Sequence, residues 1–150
     1  MIGLMQRVRQ AAVVVDGEEV AAIGPGALVL VGVEKDDGEA QAQRLAQKLI
    51  GYRIFADEMD RMNVSLAGSG GGLLLVPQFT LAADTRKGMR PSFSSAAEPD
   101  RGRVLFDHLV ATAASLHQPV ACGVFGANMQ VSLINDGPVT FQLRVTPGNT

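Results

Sequence analysis

Cysteine and histidine are scarce in this chain of 150 residues, which contains one cysteine and two histidines. The single Cys122 excludes a disulfide within the chain and a zinc site built from several cysteines, which suits a reducing compartment. Because Cys122 lies in the apolar run 119–124, we expect a buried, unreactive thiol. His108 and His117 have no acidic partner at a metal-ligand spacing, so we expect them on a helix surface or at a helix end.

Long apolar segments and a strong excess of one charge are also missing. No segment approaches the roughly 20 apolar residues that span a bilayer, and no basic leader with a long apolar run begins the sequence. The net charge of -2 and the pI near 5.6 argue against a broad basic surface that coats nucleic acid. We therefore expect a soluble, cytoplasmic protein that contacts, at most, one end of an RNA.

A basic cluster in a long loop is the candidate for such a contact. Residues 82–97 are predicted to form this loop, and loops of this length usually have a function. Arg86, Lys87 and Arg90 lie within it and suit a few phosphates, with Arg7 and Arg9 as further candidates. On the residues alone, solvated loop charges explain the cluster equally well.

The composition predicts one domain over residues 1–150, because 47% hydrophobic residues suffice for one core and the chain is too short for two. Four antiparallel strands are expected at 2–8, 11–15, 19–23 and 27–33, the last of them central. One helix is expected after Asp36, which would cap it with Glu39 in the capping-box position. A second helix is expected over residues 99–116.

The strand expected at residues 73–81 is the main candidate for a core strand that ends at a functional site. Four apolar residues, 73–76, predict a strand buried on both faces. If the strand continues, Gln78 and Thr80 point to one face, while Phe79 and Leu81 point to the other. Two hydrogen-bonding side chains would then emerge at the end of a core strand, as a substrate site requires. An ordinary strand end is the more common explanation of such a pattern.

The segment 131–145 predicts two strands around a tight corner. Asp136-Gly137 is a hairpin signal, but Pro138 has a fixed φ and no N–H, so the corner must be unusual or exposed. The Gly137-Pro138 bond is a candidate for the cis form, whereas Gly24-Pro25 is expected to be an ordinary trans turn. The residues alone favour a turn at both places.

These two segments together resemble the D-aminoacyl-tRNA deacylase family. Its usual signature is a Ser-Gln-x-x-Leu strand end and an Asn-x-Gly-Pro-x-Thr corner, which match Gln78 to Leu81 and Asn135 to Thr140. Pro77 stands where the family usually has serine. Shorter matches follow in order along nearly the whole chain, among them Gln6-Arg7-Val8, Arg53-Ile54-Phe55, Met62-Asn63 and Arg90-Pro91-Ser92-Phe93.

The resemblance implies a mixed α/β fold with a mainly antiparallel, barrel-like sheet and two main helices. It also implies that the protein hydrolyses the ester of D-aminoacyl-tRNA and of glycyl-tRNA. In that scheme the backbone N–H groups of Gln78, Phe79 and Thr80 hold the oxyanion, and the 2′-hydroxyl of the terminal adenosine assists. Gly137 and Pro138 would project into the partner's site of a homodimer and exclude L-amino acids by steric clash.

The remaining implied roles concern binding. Phe125 and Met129 are expected to border an adenine pocket, Pro77 to contact the substrate, and Arg86, Lys87 and Arg90 to hold the RNA end. No metal or cofactor is predicted. The carboxylates of residues 57–60 lack a calcium spacing, and the glycine-rich segment 68–72, expected to be a flexible turn, lacks the ending of a phosphate-binding loop.

Two alternatives to a deacylase remain open at this point. One is a dimeric binding protein of the same fold that is inactive because Pro77 replaces serine. The other is a small-ester hydrolase with Thr80 as nucleophile, although the sequence offers Thr80 no convincing base.

Overall fold

The structure, a computed structural model, describes residues 1–149; Thr150, the last residue of the predicted domain, lies outside them. The strands are β1 (Ile2–Val15), β2 (Glu18–Ile23), β3 (Gly26–Gly32), β4 (Arg53–Ala56), β5 (Met62–Ser65), β6 (Gly72–Pro77), β7 (Val120–Cys122) and β8 (Gln130–Arg144). The helices are α1 (Glu39–Gly51), α2 (Leu66–Ser69) and α3 (Pro99–Leu116). Among the described residues, no helix is long and apolar enough to cross a membrane.

One sheet contains six strands and is nearly closed. Its order is β2-β1-β3-β6-β7, and β8 pairs with β1 along almost its full length. Strand β1 pairs antiparallel with β2, β3 and β8, whereas β6 pairs parallel with β3 and with β7. Strands β4 and β5 form a separate antiparallel pair. The predicted mixed α/β fold with a barrel-like sheet is therefore confirmed, and its parallel part lies around β6.

Strand β6 is buried on both faces, as its four apolar residues predict. Leu73 and Leu75 join the core under α1 and α3, while Leu74 and Val76 join a second cluster on the opposite face of the sheet. Strands β3 and β6 begin in very close contact, because a Cβ on Gly26 would lie 1.9 Å from the carbonyl oxygen of Gly72. Because Gly26 and Gly72 have no side chains, the two strands can start this close together and run in parallel toward the same edge of the sheet.

Several local expectations are corrected by the structure. Strand β1 is one continuous strand rather than two, because β8 pairs with both of the segments that were expected to be separate. Helix α1 is capped by Gly38, whose N–H donates to Gln41 Oε1 at 2.8 Å, and not by Asp36. The first two residues of the segment 68–72, expected to be a flexible turn, belong to α2, which Ser65 caps by accepting from the Gly68 N–H.

Contacts of the N-terminal ammonium group explain why α1 is capped by Gly38 rather than by the predicted Asp36. The ammonium group of Met1 is buried and donates to the Asp37 carboxylate at 2.7 Å, and Asp37 also accepts the Glu34 N–H at 2.7 Å. The same ammonium donates to Val145 O at 2.7 Å, and the Val145 N–H donates back to Met1 O at 2.9 Å. Asp37 therefore folds the chain into a turn just before α1, and the helix begins at Glu39.

Helix α3 has the bounds that the sequence predicts, and His117 lies at its C-terminal end as expected. His117 is buried, and its Nε2 lies 2.6 Å from the carbonyl oxygen of Gly71. Cys122 is half-buried, and burial together with the charge of Asp107 raises the pKa of its thiol. A raised thiol pKa disfavours the reactive thiolate, in agreement with the expected unreactive cysteine.

Candidate active site

A cavity of about 660 Å³ lies where β3 and β6 end. Pro77, Gln78 and Phe79 form one side of it, after the last buried residue of β6. The first turns of α3 and the start of β8 contribute further walls. Further residues that line it include Gly102, Phe106, Phe125, Gly126, Met129 and Leu133. The structure thus brings together the strand-end residues and the two residues expected to border adenine.

The chain does not continue as a strand beyond Pro77, contrary to the prediction. Residues Phe79–Ala82 form a short 3-10 helix, in which the Leu81 N–H donates to Gln78 O at 3.3 Å. A sequence of alternating polar and apolar residues only four long is too short to distinguish a strand from a tight turn. Phe79, the first residue of this turn, lines the cavity, and Thr80 follows it in the chain without lining the cavity.

The backbone N–H groups of this turn differ in availability. Contrary to the prediction, the Gln78 N–H is not available for an oxyanion, because it donates to Val31 O at 2.7 Å. The N–H groups of Phe79 and Thr80 have no hydrogen-bond acceptor within residues 1–149. Two adjacent unpaired donors beside an apolar cavity can stabilise an oxygen that acquires negative charge.

Thr80 has no general base within the described part of the chain. Its hydroxyl donates to Gln78 Oε1 at 2.7 Å. His108 contacts Gln43, and His117 contacts the Gly71 carbonyl, so both histidines are engaged elsewhere. The geometry therefore offers Thr80 no activated hydroxyl, as the sequence suggested.

Pro77 is the last residue of β6 and lies opposite Val31 in the parallel ladder. It is half-buried, and its Cδ lies 3.5 Å from the position that a Cβ on Gly123 would take. Proline has no N–H to donate, but at the end of a strand the missing donor does not interrupt the ladder, so the strand tolerates it. Pro77 also forms part of the cavity wall.

Phe125 and Met129 line the same cavity as Pro77 and Phe79. The Phe125 ring packs against Phe106, with ring centroids 6.3 Å apart, and against Gly102, where an added Cβ would lie 3.3 Å from Phe125 Cζ. The Arg103 guanidinium lies over the same ring, 4.9 Å from its centroid. Sequence reasoning missed Gly102 and Arg103, because only the fold brings helix α3 to this wall.

A second aromatic pair lies at the exposed side of the strand end. Phe79 is 57% exposed and Phe93 is 42% exposed, and their ring centroids are 5.0 Å apart. Phe93 belongs to the predicted loop, which has no regular secondary structure between the 3-10 helix and α3. The loop therefore packs against the site, although Arg86, Lys87 and Arg90 do not line the cavity.

Arg86 is tied within its own loop rather than free for RNA. Its Nε and Nη2 donate to the two oxygens of Asp84 at 2.9 and 2.7 Å. The side-chain and backbone hydrogen bonds from Arg86 lower the pKa of Asp84 to about 2, and the same pair raises the pKa of Arg86. Asp84 and Ser92 also exchange backbone hydrogen bonds, which close the loop that presents Lys87 and Arg90. Within residues 1–149, these two cations form no ion pair.

Arg7 and Arg9 do not belong to this basic surface. Arg7 donates to Asp136 O at 2.9 Å and to Ile54 O at 2.8 Å, and Arg9 lies 3.7 Å from the Asp136 carboxylate.

Asp57 is a structural residue of the loop between β4 and β5. It accepts from Met59, Arg61 and Asn63, and the bonds from the Arg61 backbone and the Asn63 side chain lower its pKa.

The Gly-Pro corner is a bulge in one strand, not the predicted hairpin. Gln6 pairs with Thr140 and Val8 pairs with Asn135, so residues 136–139 loop out opposite the single residue Arg7. The Gly137-Pro138 bond is cis, as predicted, and Gly24-Pro25 is not among the cis bonds; Gln118-Pro119 is a further cis bond that was not predicted. The prediction of two strands failed because β1 pairs with both halves of β8.

Side chains of the motif hold the bulge in place. Asn135 Oδ1 accepts the Val139 N–H at 2.7 Å, and Asn135 Nδ2 donates to Thr140 Oγ1 at 2.9 Å. Gly137 and Pro138 are exposed and do not line the cavity of their own chain. The corner is therefore a fixed, outward-facing projection.

Two solved structures share this fold. One, described as a c-Myc DNA unwinding element binding protein, is 33% identical, covers 97% of this chain and 99% of its own, and has a TM-score of 0.93. Another, described as a probable eukaryotic D-amino acid tRNA deacylase, is 17% identical, covers 95% and 98%, and has a TM-score of 0.81, which shows the fold.

Curated relatives match the chain over almost its full length. A D-aminoacyl-tRNA deacylase of Thioalkalivibrio sulfidiphilus is 68% identical over 98% of this chain and 99% of its own. One of Methylococcus capsulatus is 63% identical over 98% and 96%. The family model described as D-Tyr-tRNA(Tyr) deacylase matches residues 4–144, which include both the strand end and the bulge. The chain therefore belongs to the D-Tyr-tRNA(Tyr) deacylase family.

Proposed function

We propose that this protein hydrolyses the ester bond of D-aminoacyl-tRNA and of glycyl-tRNA, and releases free tRNA and the amino acid. The observation that carries the proposal is the unpaired N–H groups of Phe79 and Thr80 beside a cavity walled by Phe125 and Met129. Family membership and the names of the curated relatives support the same substrate. Hydrolysis of charged tRNA assigns the protein to the cytoplasm, where tRNA is used.

The proposed chemistry depends on backbone donors rather than on an activated side chain. An aminoacyl ester is already reactive, so stabilising its developing oxyanion with the Phe79 and Thr80 N–H groups is sufficient help. The Gln78 N–H takes no part, because it donates to Val31 O, and the Gln78 side chain orients Thr80 through their 2.7 Å hydrogen bond. The 2′-hydroxyl of the terminal adenosine would assist the attack, with the adenine between Phe125 and Met129.

Chiral selection is assigned to the bulge of a second subunit. Gly137 and Pro138 lie outside the cavity of their own chain, on a projection held by Asn135 and Arg7. In a homodimer this projection would enter the partner's cavity and leave no room for the side chain of an L-amino acid. The free edge of β8 supports such a dimer, since within residues 1–149 this 15-residue strand has a ladder partner on one side only.

The test is single-turnover hydrolysis of D-tyrosyl-tRNA and L-tyrosyl-tRNA by the purified protein. We expect rapid hydrolysis of the D form only. A folded dimer that hydrolyses neither would support the inactive binding protein, and hydrolysis of simple esters without chiral preference would support the Thr80 hydrolase.

A Thr80→Val variant separates the backbone mechanism from a threonine nucleophile. Valine removes the hydroxyl and keeps both the shape of the side chain and the N–H of residue 80. We expect its rate to fall less than about tenfold, since the oxyanion donors are intact, whereas loss of a nucleophile costs several powers of ten.

A further inference from the structure

Arg103 occupies a distinctive position beside the cavity. Its guanidinium carbon lies 4.9 Å from the centroid of the Phe125 ring, and Phe125 is part of the cavity wall. A Cβ on Gly126, another wall residue, would lie 3.6 Å from Arg103 Nη2. The cation is therefore fixed against two neighbouring wall residues while its side chain remains exposed.

The charge of Arg103 is not neutralised within the described part of the chain. Asp100 and Asp107 lie three residues before and four residues after it on α3, at spacings that allow ion pairs. No ion pair or hydrogen bond joins Arg103 to either carboxylate or to any other group in residues 1–149. A guanidinium that stacks on a ring keeps its N–H donors at its edge, where they can bind an anion in a bidentate manner.

We propose that Arg103, held on the Phe125 ring, binds a phosphodiester of the RNA that enters the cavity. The inference rests on the proposed function, in which the terminal adenosine lies against Phe125. The phosphate on the 5′ side of that adenosine is the nearest anionic group of the substrate. Arg103 would then bind the RNA backbone next to Phe125, the wall residue that contacts the adenine. It would take no part in the chemical step.

If Arg103 binds this phosphate, its loss should weaken the binding of a substrate that contains the phosphodiester and should not affect a substrate that lacks it. The D-tyrosyl ester of adenosine contains the ester, ribose and base of the proposed substrate, and lacks the phosphodiester. Arg103→Met removes the charge and keeps an apolar side chain against Phe125. Arg61→Met, in the exposed loop between β4 and β5, is the matched control for loss of one positive charge.

We expect Arg103→Met to raise KM for D-tyrosyl-tRNA about five- to tenfold, with kcat unchanged within about twofold, because a binding contact is lost. The slope of log affinity against log salt should fall by about 0.7, the value for one phosphate on a single strand. Hydrolysis of the adenosine ester should not change, and Arg103→Lys should restore part of the affinity for tRNA. Equal impairment on both substrates would overturn the proposal, since Arg103 would then act only by supporting Phe125. An unchanged KM for tRNA would overturn it as well.

A binding measurement separates this inference from the proposed activity. The trinucleotide CCA and adenosine are titrated into wild type, Arg103→Met and Arg61→Met, which needs no hydrolysis. If Arg103→Met binds CCA more weakly than wild type but binds adenosine equally well, the phosphate contact is supported. This holds even if the wild type hydrolyses neither D-tyrosyl-tRNA nor the adenosine ester, although that lack of hydrolysis would reject the proposed function. Equal CCA binding by all three proteins rejects the phosphate contact whatever the activity.

Discussion

Pro77 is the residue at which this chain departs from the family signature. A serine would add a hydroxyl and an N–H at the end of β6, but the donors assigned to the oxyanion belong to Phe79 and Thr80. We therefore predict that Pro77→Ser changes the single-turnover rate on D-tyrosyl-tRNA by less than tenfold, or about 1.4 kcal/mol of barrier. A wild type that is folded, dimeric and inert, and that becomes strongly active on this change, would favour the inactive binding protein.

Asp84 and Arg86 form a pair whose titration can be observed directly. The hydrogen bonds from Arg86 hold the pKa of Asp84 at about 2, below its usual 3.8. A depressed carboxyl pKa means that the pair contributes fully above pH 3.8 and loses its contribution as the pH falls through about 2. We predict a carboxyl NMR titration of Asp84 with a midpoint near 2 in the wild type, returning toward 3.8 in Arg86→Gln. An unchanged midpoint in that variant would show that the pair does not form in solution.

Strands β3 and β6 depend on a glycine contact at their start. A Cβ on Gly26 would meet the Gly72 carbonyl oxygen at 1.9 Å, whereas a Cβ on Gly24 would have no neighbour within 4 Å. We predict that Gly26→Ala lowers the free energy of unfolding by about 3 kcal/mol or more, measured by urea denaturation, because the backbones must separate. The control, Gly24→Ala, should stay within about 0.5 kcal/mol of wild type. Similar stabilities of the two variants would mean that the strands do not approach so closely.

The loop between the 3-10 helix and α3 presents two cations free of ion pairs in the described structure, Lys87 and Arg90. We predict that changing both to glutamine weakens tRNA binding and lowers the salt slope by about 1.5, with the single-turnover rate at saturation unchanged. Arg61→Gln serves as the control for charge. A large fall in the saturating rate with intact binding would assign the loop a role in chemistry.

The sequence predicts the elements better than it predicts their junctions. The apolar run 73–76 and the stripe of α3 identify a buried strand and a long helix, since burial repeats along each element. The cap of α1 depends on the distant Met1 ammonium, and the bulge in β8 depends on its pairing with β1. Neither partner is adjacent in sequence, so no local pattern records them.

The same limit applies to the candidate site. Pro77, Phe79, Phe125 and Met129 were selected by resemblance to a family, and the fold places all four on one cavity. The engagement of the Gln78 N–H by Val31 is a contact between parallel strands, which periodicity does not specify. Arg103 has no motif at all, because its relevance comes from one contact with Phe125.

At the scale of the whole molecule, β8 pairs on one side only within residues 1–149 and carries the exposed apolar side chain of Ile134. Leu133 points into the cavity, while its neighbour Ile134 is 49% exposed on the other face. We predict that Ile134→Asp gives a folded monomer by sedimentation equilibrium and abolishes selective deacylation, since the partner's bulge is lost. Val20→Asp, at a residue 43% exposed on β2, should stay dimeric and active. A fully active, chirally selective monomer would reject the cross-subunit role of Gly137 and Pro138.

The pairing of the first strand with the last has a consequence for the order in which the chain is made. Ile2 lies opposite Arg144, and Met1 and Val145 exchange hydrogen bonds, so β1 lacks its partner β8 along most of its length until residues 130–145 have been synthesised. Contacts so distant in sequence slow folding, since a long loop must close first. On the ribosome, β1 emerges before the other strands of its sheet and waits for β8 with one edge open to other chains.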